Sequence, residues 1–234
     1  MKYKKYFTLS FDDGVEHDKR VIALMKQYGL RGTFNLNAGL LGYKPRFANI
    51  SRIPKDEIKQ VYEGNEVASH GYKHEYLRFL SKRRLEESIT RDVNELSELL
   101  GYQIKGHAYP FDAHTKRMDS CLRELGIIYT RRALGKGNFS FPVDPYKYMA
   151  TCWFNAKNIF SIIDEFVAAK PENENMLFMM WGHSYELEYG VRRCPEPQLE
   201  SIFSRIAGHS DIVYCTNIEA FSANLSSGGN SCQK

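Results

Sequence analysis

The sequence predicts an α/β protein in which about seven parallel strands close, or nearly close, into a barrel. Three observations carry this prediction. Short segments rich in β-formers alternate with helical patterns along the chain, and several strand segments stop on Asp or His. The 234 residues, 43% apolar and 13% aromatic, also suffice for a sizeable core.

Taken in order, Tyr6 to Phe11 reads as a strand that stops at the turn signal Asp12-Asp13-Gly14. Val15 to Tyr28 is helical, with Val21, Ile22, Leu24, Met25 and Tyr28 at spacings of three and four and Gly29 as its stop. Thr33 to Asn37 is the second strand. Pro54 to Tyr62 reads as a helix with proline in its first turn, and Val67-Ala-Ser then leads as a strand into His70. Ser81 to Leu100 is the longest helix, with Leu85, Ile89, Val93, Leu96 and Leu99 on its apolar stripe and Gly101 closing it.

Gly106 to Phe111 is a short strand and turn, Lys116 to Leu125 a helix, and Ile127 to Thr130 a strand. Tyr148 to Trp153 is a further strand and Ile159 to Ala169 a helix. Met176 to Trp181 is a continuous apolar run of buried-strand length that stops at Gly182-His183. Glu196 to Ala207 is helical, Ile212 to Cys215 a strand, and Ile218 to Ala223 a final helical turn or two. Residues 1–225 thus read as one domain, and the Ser/Gly-rich stretch 226–234 as a disordered tail.

Composition excludes several classes of function. The net charge of +4 comes from 32 basic and 28 acidic residues dispersed along the chain, and the runs Lys2 to Lys5 and Lys82 to Arg84 read as solvated faces. No clustered basic stripe marks a nucleic-acid partner. No run approaches the ~20 apolar residues of a membrane span. The five cysteines (Cys121, Cys152, Cys194, Cys215, Cys232) lack CxxC spacing, which favours reduced thiols over a disulfide framework or a cysteine-built zinc site. The basic start meets Asp12-Asp13 before an apolar signal segment can form, so the chain as written reads as cytoplasmic, or as secreted or periplasmic if a signal has been removed.

The chemistry gathers at strand ends. Two adjacent carboxylates, Asp12 and Asp13, repel one another in a confined site and call for a cation or a shared proton. Ser69-His70-Gly71-Tyr72-Lys73-His74 supplies two imidazoles at i and i+4, which meet on one face if the segment turns helically after the strand. Two neutral imidazoles and one carboxylate, with Asp13 as the natural third ligand, leave room for water, as catalytic metal sites do. Such a donor set suits Zn²⁺, Co²⁺, Ni²⁺ or Fe²⁺. Trp153 and Trp181 offer an apolar wall for an acyl group or a sugar ring.

Ser10-Phe11-Asp12-Asp13-Gly14, Ser69 to His74, Tyr109-Pro110-Phe111 and Trp181-Gly182-His183 resemble, in this order, the motifs of the polysaccharide deacetylase family, which shares the NodB homology domain. The resemblance spans roughly residues 6–220 and implies a distorted (β/α) barrel, one divalent metal ion, zinc first among the candidates, and an acetylated carbohydrate as partner. It makes Asp12 the general base, Asp13, His70 and His74 the metal ligands, and His183 the general acid that protonates the departing amine. It also places Tyr109, Pro110 and Phe111 at the substrate, with the Phe111 N–H stabilising the oxyanion. The implied reaction is hydrolysis of an N-acetyl group on an amino-sugar glycan.

Two departures from the pattern stand out. Where the family carries an arginine that pairs with the base, this chain has Ala108, and the expectation is a base without its tuning cation. The family's fourth-motif acid, which orients the catalytic histidine, has no evident counterpart near Thr151-Cys152-Trp153; Asp112, Asp144 and Glu186 are the candidates. His17, His114 and Tyr185 lie near the motifs and are further pocket candidates. Two other readings stay open: the resemblance also allows the same metal site to act on an O-acetyl ester or small amide, and the departures allow a weakly active or non-catalytic glycan-binding protein.

Overall fold

The computed structural model describes residues 3–45, 50–133, 135 and 137–226. The strands are β1 (Lys5–Asp12), β2 (Gly32–Leu36), β3 (Glu66–Ser69), β4 (Gly106–Ala108), β5 (Tyr129–Arg132), β6 (Tyr148–Met149), β7 (Cys152–Trp153), β8 (Met176–His183) and β9 (Ile212–Tyr214). The helices are α1 (Asp18–Gln27), α2 (Ile58–Val61), α3 (Lys82–Leu100), α4 (Lys116–Glu124), α5 (Ile159–Ala168), α6 (Glu196–Ile206) and α7 (Asn217–Ser226).

One parallel sheet runs β6-β5-β4-β3-β2-β1-β8-β7, with β9 joined to the first residues of β1. The two ends of that order are consecutive in sequence. Only Ala150 and Thr151 separate β6 from β7; Ala150 N–H donates to Arg132 O and Thr151 N–H to Met179 O. The chain therefore steps from β5 to β8 within a few residues and brings the curled sheet round on itself. The expected strand at Tyr148 to Trp153 is this bridge, broken in two because it changes partner midway.

Side chains alternate between two cores, as the strand period requires. Phe7, Leu9, Phe11, Phe34, Leu36 and Val67 face outward into the larger core beneath the helices. Tyr129, Tyr148, Leu177, Met179 and Trp181 fill the barrel, with Phe221 of α7 stacked on Tyr129 at 4.8 Å as its floor.

Local signals account for both ends of α3. Ser81 caps α3, its hydroxyl accepting from Arg84 N–H, and Gly101 stops the helix at φ +81°. α2 is shorter than expected, a single turn. Lys5 is not on a solvated face: it is buried, with Nζ 2.7 Å from Val167 O and 2.8 Å from an Asp211 oxygen. Cys121, Cys152, Cys194 and Cys215 are buried free thiols, and Cys232 lies outside the described residues. Of the expected tail, Ser226 ends α7, while residues 227–234 lie outside the described part. Among the described residues no helix is long and apolar enough to cross a membrane.

Candidate active site

β1, β3, β4 and β8 deliver their C-terminal ends to one mouth of the barrel, where open α/β folds place their sites. β1 ends on buried Asp12, and the chain turns through Asp13 at φ +86° and Gly14 at φ +62°. A Cβ at Gly14 would meet a Leu36 methyl at 2.7 Å, so space as well as φ calls for glycine.

Asp12 has the cation that its sequence neighbourhood lacks. Arg131 of β5, itself 1% exposed, reaches it with Nη2 at 2.5 and 2.6 Å from the two carboxylate oxygens. Asn35 Nδ2 donates to Asp12 Oδ1 at 2.8 Å. Burial alone would raise the Asp12 pKa, but Arg131, with the nearby imidazoles of His70 and His183, outweighs it and holds the carboxyl below its ordinary value. The expectation of an unsupported base is thus corrected. Ala108 pairs in register with Arg131, so the guanidinium comes from the next strand at the same level. The sequence reading missed it because the predicted strand stopped at Thr130 and because register is a non-local property.

Asp13, His70 and His74 each present one ligand atom, all within 4.8 Å of one another. They do so without the helical turn the spacing suggested. Gly71 at φ +76° and His74 at φ +53° fold residues 70–76 as a loop, and the two imidazole centroids still approach to 4.8 Å. His70 Nδ1 lies 2.8 Å from Ala108 O. A carbonyl only accepts, so Nδ1 carries the proton and Nε2 keeps its lone pair.

His74 Nε2 is 3.6 Å from Asp13 Oδ1, a buried atom with no hydrogen-bond partner. Arg52 donates to the Asp13 carbonyl and stands 3.3 Å from Oδ1. Burial works against the charged form of Asp13, yet Arg52 and the imidazoles of His183, His70 and His74 bring its pKa down to about 2. Burial chiefly brings His70 down to about 4, which keeps it neutral. An ionised carboxylate with an unused oxygen beside a neutral imidazole with a free lone pair fits a divalent cation.

His183 ends β8 and is the register partner of Asp12, so the two groups face the same mouth from adjacent strands. Glu186 is its acid. Oε1 lies 3.3 Å from His183 Nδ1, and Oε2 accepts from the His183 N–H at 3.2 Å, in a short 3₁₀ turn. Burial would lower the His183 pKa, but the Glu186 contact and the charges of Asp12 and Asp13 outweigh it, leaving a net rise. Of the other candidate acids, Asp112 binds Arg132 and the Ala133 N–H, and Asp144 caps the turn at Pro145–Lys147.

The cleft between these groups has a volume of about 390 Å³, and Phe111, Tyr109, Asp112, Ala133, Trp153, Trp181, Tyr185 and Arg192 complete its wall. Pro110 is not part of that wall; its ring packs toward Gly71. The tryptophans line the cleft but are already engaged: Trp153 lies 4.8 Å from Trp181 and 3.6 Å from the Arg192 guanidinium, and Trp181 has Arg131 at 4.7 Å. His17 pairs with Glu188 and His114 with Asp119, outside the cleft wall. A larger cleft of about 470 Å³ at the opposite end of β8 is lined by no histidine or cysteine.

The family model described as polysaccharide deacetylase matches residues 2–130. No curated protein matches the chain. Among solved structures, the peptidoglycan deacetylase PdaC from Bacillus subtilis is 18% identical with a TM-score of 0.58, over 97% of this chain and 95% of that one. A family 4 carbohydrate esterase from Streptomyces lividans, solved with acetate, is 15% identical with a TM-score of 0.58, over 94% and 95%. BA3943 from Bacillus anthracis, described as a pseudoenzyme of the same esterase family, is 14% identical with a TM-score of 0.60, over 94% of this chain and 66% of that one. At such identities these likenesses establish the fold.

Proposed function

The chain belongs to the polysaccharide deacetylase family, and from that premise we propose that it is a metal-dependent hydrolase removing N-acetyl groups from an amino-sugar glycan. Asp13, His70 and His74 would hold one divalent ion, zinc first among Zn²⁺, Co²⁺, Ni²⁺ and Fe²⁺. When bound, that ion supplies Lewis-acid polarisation and a more acidic water.

The observation that carries the reading is the opposed pair Asp12 and His183, register partners on adjacent strands with pKa values displaced in opposite directions. Asp12, kept ionised by Arg131, accepts the proton of the attacking water. His183, whose Nδ1 is engaged by Glu186, delivers a proton from Nε2 to the leaving nitrogen. The Phe111 N–H is assigned to the developing oxyanion. No serine nucleophile is needed.

The losses that motivated a non-catalytic reading are matched by Arg131 at Asp12 and Glu186 at His183, which supports turnover. The test is release of acetate from N-acetylglucosamine oligomers by purified protein supplied with Zn²⁺ or Co²⁺. Asp12→Asn should reduce it by about 10²–10⁴-fold while metal stays bound. Full activity in that variant would overturn the assigned base. Faster turnover of acetylated xylan or of simple amides would move the substrate to the ester or small-amide class on the same residues. Glycan binding without turnover under any metal would return the protein to the non-catalytic class.

A further inference from the structure

Among the described residues six large aromatic side chains are exposed, and three of them, Tyr76, Phe79 and Phe111, stand together at one edge of the cleft. They continue a ladder of rings that begins inside it. His70 and His74 lie 4.8 Å apart, His74 meets Phe111 edge-on at 4.4 Å, Phe111 stacks on Tyr76 at 3.7 Å with planes 5° apart, and Tyr76 meets Phe79 at 6.0 Å. Exposure rises outward, with Phe111 at 49%, Tyr76 at 52% and Phe79 at 78%.

Apolar ring surface left in water forgoes the gain of burial. The backbone that presents Phe111 is also strained: Phe111 and Asp112 sit at φ +56° and +58°, in the left-handed region. Asp112 holds that conformation through the Ala133 N–H and Arg132. Strain together with exposed apolar surface, continuous with a reactive cleft, points to a ligand rather than to packing.

We propose that Tyr76 and Phe79, joined to the cleft by Phe111, form a stacking subsite for a pyranose ring next to the sugar whose acyl group is removed. The proposal rests on the deacetylase reading above. A cleft of about 390 Å³ lies near the low end of single-ligand cavities. Neighbouring units of a glycan must therefore lie along its rim. Of the aromatic groups on that rim, Trp153 has both Trp181 and Arg192 against it, whereas Tyr76, though stacked on Phe111, is still half exposed and Phe79 more so. A pyranose has an apolar C–H face and a hydroxylated edge; the rings match the face, and exposed Lys73 and Arg78 close by in sequence supply polar partners.

The experiment is isothermal titration calorimetry of N-acetylglucosamine monomer and trimer on the full-length Asp12→Asn protein loaded with Zn²⁺. Trimer should bind more tightly than monomer, and Phe79→Ala should remove about ten-fold of that gain. Tyr76→Ala should act in the same direction, with Zn²⁺ affinity measured alongside to detect any shift of His74. Phe160→Ala, an exposed ring on α5 outside the cleft wall, should bind like the parent.

Trimer binding that is indifferent to Phe79 and Tyr76, or no gain from monomer to trimer, would overturn the subsite. The two readings fail separately. Oligomer deacetylation with ring-indifferent binding sinks the subsite and keeps the enzyme. Ring-dependent trimer binding without acetate release by the wild type sinks the enzyme and keeps the subsite.

Discussion

Two carboxylates are buried one layer apart inside the same barrel, and their pKa values are displaced in opposite directions. Asp12, at the mouth, is held below its ordinary pKa, whereas burial pushes Glu66, at the start of β3, up to about 7. Glu66 is level with Thr33 and Ser10, two positions below Asp12 along β1. Its partners are neutral: the Thr33 hydroxyl at 2.7 Å, the Tyr129 hydroxyl at 2.8 Å and the Ile218 N–H at 2.8 Å. Asp12 has one neutral donor, Asn35, and one guanidinium. Three neutral donors do not offset the desolvation of an ion, and one arginine does. The charge at the mouth is therefore maintained chiefly by Arg131, with the imidazoles of His70 and His183 in support.

The largest way to break this contrast is to remove the cation. Arg131→Met should cost about 3–5 kcal/mol of stability, because it leaves Asp12 buried and uncompensated. Asp12 has a lowered pKa, so its contribution is present above the ordinary carboxylate range and fades as pH falls. In the variant that contribution disappears, and the acid limb of the kcat/KM profile moves to higher pH. Denaturant titration and the rate profile check both; an unmoved limb means that Arg131 does not set the state of Asp12.

A sharper version moves the charge back one strand. Position 108 is the register partner of 131, so adding Ala108→Arg to an Arg131→Ala protein should restore part of the lost stability and activity. Absence of any recovery would show that the β5 position, and not the charge, is required. A smaller effect is expected at the other proton site: Glu186→Gln removes a charge that raises the His183 pKa, and the alkaline limb should move to lower pH.

The smallest effect belongs to the floor. Glu66 has a raised folded pKa, so its contribution is complete below its ordinary value of 4.5 and is lost as pH rises toward about 7. Asp18 and Asp92, also raised to about 7, act in the same direction. Stability should therefore fall across this window, by at most about 1.4 kcal/mol per pH unit for each group. Glu66→Gln should flatten the fall by one group's share, measured as denaturant midpoints from pH 4.5 to 7.5; equal slopes in variant and wild type would contradict the neutral state of Glu66.

What the sequence revealed and concealed divides along the same line. Strand and helix order, the carboxylates and imidazoles at strand ends, and the aromatic wall were legible, because hydrophobic period and turn chemistry are local. Glu186 was one candidate among several, since its place opposite His183 depends on a 3₁₀ turn that spacing alone does not announce. Arg131 was invisible: only register joins it to Asp12, and it lies just beyond the matched segment 2–130. The rim ladder was hidden too, because it requires left-handed backbone at Phe111 and His74 to bring two loops together.

The bridge at residues 148–153 has a consequence for how the molecule is made. β1 precedes by a long stretch of chain both its register partner β8 and the donor to its last carboxylate; Arg131 is 119 positions downstream of Asp12. Contacts so distant in sequence form only after most of the loop-closure entropy has been spent. A nascent chain ending before β5 has open sheet edges and an Asp12 with neither Arg131 nor His183 beside it. A fragment that ends before β8 therefore lacks His183 and the closing strand, and one that ends before β5 lacks Arg131 as well.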